Sequence, residues 1–298
     1  MANAPSNFKH LPPALAEAVH TLGLRVRRPV RGRGEGMHRS PDFGSSVEFA
    51  DYRPYVPGDP LNRIDWSVYA RTDRHVIRRF QEETSLRATL LLDASESLAF
   101  REAGALSKFD YACQLVAALS YALVHQGDAV SVAAFVEGVT RWFPPVGSMV
   151  GLRALLIGLE DLAPVGRSNI GSALEQTASR IASRSLVVVV SDFLDGGANI
   201  LRGLKHLDHD RHNLILLHVV DGAERRIGFH GLTELRELET GQRLVVEADE
   251  VAEAYATAFD GHVDLLRRGC ADCFGEYHLL DTRESVQIAL QRLGGRKA

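Results

Sequence analysis

With 298 residues, 45% of them hydrophobic and 24% charged, the chain has the composition of a soluble globular protein, long enough for one large core and a smaller companion. A formal net charge of -4 gives no global pull toward nucleic acid, and no apolar run approaches the ~18 residues of a membrane span. Cys113, Cys270 and Cys273 are odd in number for a disulfide framework, and the first residues lack a secretory layout, so a cytoplasmic location is expected.

Residues 1–85 read as an irregular, polar N-terminal region, too poor in apolar periodicity to bury much alone. One helix is expected in LPPALAEAVHTL, whose prolines suit a helix start. The next stretch, RVRRPVRGRGEGMHRS, carries Arg25, Arg27, Arg28, Arg31 and Arg33 with no nucleic-acid recognition motif beside them, and reads as a solvated arm. Gly32, Gly34 and Gly36 lack both a preceding strand and the Gly-Lys-Ser/Thr ending of a phosphate-binding loop. Then VEFADYRPYVPGDPLNRIDW alternates aromatic and charged residues around a Pro-Gly-Asp turn signal. Tyr52, Tyr55 and Trp66 are expected to pack this arm onto the following domain, with Asp59, Arg63 and Asp65 pairing to hold the turn; a partner-binding surface is the alternative.

From residue 86 to 298 the rhythm is that of an α/β domain with a C-terminal extension. The runs ATLLLD, AVSVAAF, SLVVVVSD and NLILLHVV fit strands buried on both faces of a mostly parallel sheet. Helical segments between them, FDYACQLVAALSYALVHQG and IGSALEQTASRIAS, imply right-handed crossovers and a doubly wound sheet with helices on both faces. Glu137-Gly138 and Thr240-Gly241 mark hairpins, and a long helix, a strand at 276–280 and a last helix complete the chain.

Two of these strands end on an aspartate at the edge where open α/β sheets bind ligands: Asp93 and Asp192. After the first comes Asp93-Ala94-Ser95-Glu96-Ser97, whose alternate residues can converge on one point. A carboxylate with two hydroxyls is a hard oxygen set suited to Mg²⁺ or Mn²⁺. Ser168, in the loop before IGSALEQTA, adds another hydroxyl near a helix start. A turn closed by local hydrogen bonds of Asp93 and Ser95 would use the same residues without any metal.

Together these residues resemble the metal-ion-dependent adhesion site of von Willebrand factor A domains, over roughly residues 86–222. The resemblance implies metal ligands at Asp93, Ser95, Ser97 and Ser168, where the family usually has threonine, and an indirect role for Asp192. It also implies a protein partner that supplies the last metal ligand as a carboxylate. A second resemblance lies upstream. Glu48-Phe49, Arg53-Pro54-Tyr55, Pro57-Gly58-Asp59-Pro60, Arg63-Ile64-Asp65-Trp66 and Ala70-Arg71-Thr72 are similar to the hallmark run of the bacterial domain of unknown function 58 family. That family implies a non-enzymatic adaptor working with a MoxR-type AAA+ ATPase in protein assembly or maturation. A divalent-metal phosphoester hydrolase on the same edge is the alternative, with Asp195 and Glu96 as the nearby candidate bases. A module whose site holds no metal is a third.

Cys270 and Cys273 have C-x-x-C spacing but lack partners for a zinc site, and are expected to be buried structural cysteines. His206, His209 and His212 match no zinc spacing and read as a solvated helix end.

Overall fold

The four apolar runs become β3 (Arg87–Asp93), β4 (Ala129–Phe135), β6 (Leu186–Ser191) and β7 (Asn213–Val220). With β5 (Val139–Val146) and β10 (Glu276–Asp281) they form a six-stranded sheet ordered β10-β7-β6-β3-β4-β5, parallel except for the edge strand β5. The structure is a computed structural model that describes residues 8–22, 47–59, 61, 64–82, 86–182 and 184–294. The basic stretch at 25–40, its glycine cluster, Pro60 and Arg63 lie outside the described residues.

The apolar runs are continuous because both faces of the sheet are covered. Leu90, Leu92, Val188 and Val190 enter one core, while Leu91, Val187 and Val189 enter the other. The first core is closed by α3 (Lys108–His125), α4 (Met149–Glu160) and α8 (Val286–Gly294), the second by α5 (Ile170–Ala178), α6 (Gly197–His209) and α7 (Ala248–Asp272). Each such aliphatic side chain removed from water contributes about 1.5–3 kcal/mol, so alternation within one run drives both layers. Helix α3 is buried on nearly all sides, which explains its weak polar face. This is the doubly wound, mostly parallel arrangement with helices on both faces.

Helix α1 (Pro13–Leu22) forms as its sequence suggests, and it packs on the following domain as expected of a segment too poor in apolar residues to bury much alone. Leu15, Ala16 and Val19 join the first core, where α1 contacts α3 and α8. The chain accordingly divides into a larger unit, Met1–Pro29 with Leu86–Ala298, and a smaller unit, Val30–Ser85. A border at residue 85 alone misassigns α1, because its short apolar stripe carries no sign of a partner so distant in sequence.

The smaller unit is also more regular than its composition suggests. Strands β1 (Val47–Pro54) and β2 (Val76–Glu82) pair antiparallel with a bulge between Phe49 and Asp51, and helix α2 (Trp66–Thr72) lies between them in sequence. The long connection hides the pairing, since no short turn signal links the strands. Asp65 caps α2 by accepting from the Ser67 and Val68 N–H groups. Arg53 donates to both oxygens of Asp59 at 2.6 Å, closing the turn in which Gly58 has φ +107°. Within this unit Trp66 is 57% exposed and Tyr52 44%. Tyr52 donates to Asp65, and Trp66 meets Tyr69 and His75 edge-on.

Two further hairpin expectations fall where they were read. β4 and β5 pair antiparallel, and β8 (Leu232–Arg236) pairs with β9 (Arg243–Glu247) around Gly241 at φ +69°. Cys270 and Cys273 are both buried. His212 departs from expectation: it is fully buried and its Nδ1 accepts from the Ser185 N–H at 3.2 Å.

Candidate functional site

From β3 the chain passes to β4 on one side, while β6 lies on the other, so strand order reverses at the ends of β3 and β6. Asp93 is the last residue of β3 and is fully buried. Its loop is tied to the neighbouring ones through backbone bonds from Ala94 N to Phe135 O, Val165 N to Ala94 O, and Glu96 N to Gly166 O. A single-turn 3₁₀ helix, Glu96–Ala99, follows and fixes Ser97.

Asp93 Oδ1 accepts the Ser95 N–H at 2.9 Å, which is the local turn that a purely structural role would need. Its other oxygen is used differently. Oδ2 accepts the hydroxyls of Ser168 at 3.0 Å and Ser191 at 2.6 Å, from positions 75 and 98 residues away. Ser95 and Ser97 place their hydroxyl oxygens 3.0 Å apart. Asp93, Ser95, Ser97 and Ser168 thus lie together, and Ser191 joins them. Ser191 was not singled out from the sequence, although its place beside a strand-ending aspartate was visible there.

Among the described residues, no cationic side chain is a hydrogen-bond partner of Asp93. Burial, with the like charge of Asp192 added, pushes the Asp93 carboxyl up to about 7 against the hydrogen bonds that favour its ionised form. Among the described residues no group of three or more His, Cys, Asp or Glu side chains could hold a metal ion. A cation here would be held by one carboxylate and serine hydroxyls, a hard oxygen set that fits Mg²⁺ or Mn²⁺ with retained water. The donor chemistry and the uncompensated buried charge both fit such an ion.

Asp192 is in another situation. It is 1% exposed, and its Oδ2 accepts from Lys108 Nζ at 2.8 Å. Lys108 is itself fully buried and also donates to Glu224 Oε1 at 2.5 Å. Burial works to lower the pKa of this ammonium, but Asp192 and Glu224 outweigh it and hold the lysine charged. Lys108 was overlooked in the sequence. The available signal was a lysine in the first turn of α3, where the helix dipole disfavours a cation.

The neighbouring strand end supplies a third aspartate. Asp221 follows β7 and accepts the N–H groups of Glu102, Ala103, Gly104 and Ala223, with the Thr282 hydroxyl at 3.3 Å. Burial alone would raise its pKa, but these N–H groups hold it below the usual carboxylate range. It anchors the loop that leads into Lys108. Beyond β6, Phe193 is buried in a left-handed conformation, φ +51°, its N–H donating to Ser191 Oγ and its carbonyl accepting from His262. Buried His218, opposite Ser191 in the sheet, is pushed down to about 3 by burial and stays neutral.

From the other side comes the tip of the β8–β9 hairpin. Glu239 accepts the Ser168 N–H at 3.3 Å and lies 4.0 Å from Arg167. Burial raises its pKa. Asp195 accepts the N–H groups of Ile170 and Gly196, which commits it to the start of α5, and Glu96 is exposed. An open hollow of about 580 Å³, lined by Val136, Gly138, Thr140, Val165 and Arg167, runs along the loop that carries Ser168.

Among known proteins, uncharacterized proteins of Mycobacterium tuberculosis and Mycobacterium bovis are 29% identical over 267 residues, covering 87% of this chain and 83% of theirs. Among solved structures, the conserved hypothetical protein BatB from Bacteroides thetaiotaomicron aligns over 70% of this chain and 97% of its own, at 17% identity and a TM-score of 0.49. The SpRpn10 VWA domain aligns over 72% and 100% respectively, at 11% identity and a TM-score of 0.43. No helix among the described residues is long and apolar enough to cross a membrane. Residues 51–263 match the family described as protein of unknown function DUF58, and the chain belongs to that family.

Proposed function

We propose that this chain is a non-enzymatic interaction module that holds Mg²⁺ or Mn²⁺ on Asp93, Ser95, Ser97 and Ser168 and presents the ion to a protein partner. The partner we propose is a MoxR-type AAA+ ATPase, met in the cytoplasm, by resemblance to the family's hallmark run in residues 48–72. One observation carries the site: Asp93 Oδ2 collects hydroxyls from two remote segments while no cationic side chain among the described residues bonds to it. A turn that needed only local closure has no use for Ser168 and Ser191. When bound, the ion would supply the positive charge that Asp93 lacks and an acceptor for an acidic group of the partner. Asp192, engaged by Lys108, would act from behind through its field. Ser168 keeps the hydroxyl of the usual threonine and already reaches Asp93.

The test is capture of a MoxR-type ATPase on the immobilised chain. Capture should be lost in EDTA and in Asp93→Ala, and restored to wild type alone by Mn²⁺. Equal capture under all these conditions would sink the metal bridge and move the docking surface elsewhere.

A further inference from the structure

The hairpin of β8 and β9 is poorly buried for a two-stranded sheet. Leu232 is 76% exposed and Leu244 62%, so its strands gain little from apolar packing. Its tip is nevertheless braced: Glu237 and Gln242 pair through the backbone, Gly241 N donates to Glu237 O, and Thr240 Oγ1 bonds the Glu237 side chain. Glu237 and Thr240 face solvent, whereas the side chain of Glu239 is only 16% exposed. Turning one acid of a braced tip inward requires something to receive it. Its partner is the N–H of Ser168, one of the hydroxyl residues assembled around Asp93. Ser168 joins the two acids, donating its hydroxyl to Asp93 and its N–H to Glu239. Two carboxylates share one serine, and the cationic side chain beside Glu239 is Arg167, 4.0 Å away and 65% exposed.

We propose that Glu239 is a resident acidic ligand of this site: the hairpin tip supplies from within the chain the carboxylate that a partner would otherwise bring. A partner's acidic side chain then gains the site by displacing the tip. The inference rests on the divalent-cation reading above. It converts an open site into a closed one with a built-in competitor, so binding depends on hairpin opening as well as on metal.

The experiment titrates Mn²⁺ alone into the metal-stripped full chain, read by calorimetry and by the electron paramagnetic resonance signal of the bound ion. Wild type, Glu239→Gln and Asp93→Ala are compared, with matched thermal melting of the metal-free proteins as the folding control. Glu239→Gln should bind Mn²⁺ about ten-fold more weakly, as expected for loss of one charged oxygen ligand, and acetate should recover part of that affinity in the variant but not in wild type. Equal or tighter binding by Glu239→Gln, with binding still lost in Asp93→Ala, would overturn the role of Glu239 and leave the metal site standing. Absence of saturable binding in wild type would overturn both readings.

Discussion

Asp93 and Asp192 close adjacent strands of one sheet edge, are equally buried, and feel each other's charge. They are satisfied in opposite ways. Asp192 is given a permanent counter-ion, Lys108, which is in turn shared with Glu224. Asp93 is given only neutral donors, three of them within hydrogen-bond distance. The difference teaches that one sheet edge can bury a carboxylate in two ways, against a lysine counter-charge at Asp192 or, among the described residues, against neutral donors at Asp93, whose pKa burial then raises.

The contrast can be broken most severely at Lys108. Lys108→Met leaves Asp192 and Glu224 buried without a counter-charge and should cost about 4 kcal/mol in urea unfolding. If the variant is as stable as wild type, the lysine is not what offsets these carboxylates. Next in size is the response to metal. Mg²⁺ at a hundred times its dissociation constant should stabilise wild type by about 2.7 kcal/mol and leave Asp93→Asn unaffected; an equal shift in both would place the ion elsewhere. Asp221→Asn should lose about 2 kcal/mol at neutral pH, because the N–H groups of Glu102, Ala103, Gly104 and Ala223 lose part of their acceptor. The folded pKa of Asp221 is depressed, so its contribution is complete above the ordinary carboxylate value and is lost as pH falls through the folded value. The gap between Asp221→Asn and wild type should therefore shrink below about pH 4. The smallest effect is at Ser191: Ser191→Ala removes one hydroxyl from Asp93 and should cost about 1 kcal/mol, measured without metal.

Much of the sheet was legible because its signals are local. ATLLLD and SLVVVVSD are apolar without interruption, and only strands covered on both faces tolerate that. The convergence of Asp93, Ser95 and Ser97 followed from spacing and from the edge at which open sheets bind, and the place of Ser168 beside them from the resemblance to von Willebrand factor A domains. What escaped the sequence depended on contacts between remote residues. Lys108 has no sign of its partner nearby in sequence, since Asp192 lies 84 residues later. Glu239 sat in a polar hairpin whose turn was readable while the direction of its tip was not. The β1–β2 pair was hidden for a similar reason, since partners separated by a helix and a long connection leave no turn signature between them.

The packing of α1 has a consequence for how the chain tolerates cleavage. The polypeptide begins in the larger unit, leaves it to build the Val30–Ser85 unit, and returns at Leu86. A protease that cuts once within 30–85 therefore severs the backbone without freeing the first segment, because Leu15, Ala16 and Val19 remain held in the core against α3 and α8. Such a nicked protein would travel as one particle under native conditions and separate into two pieces only in denaturant, each piece carrying one cut end of the inserted unit.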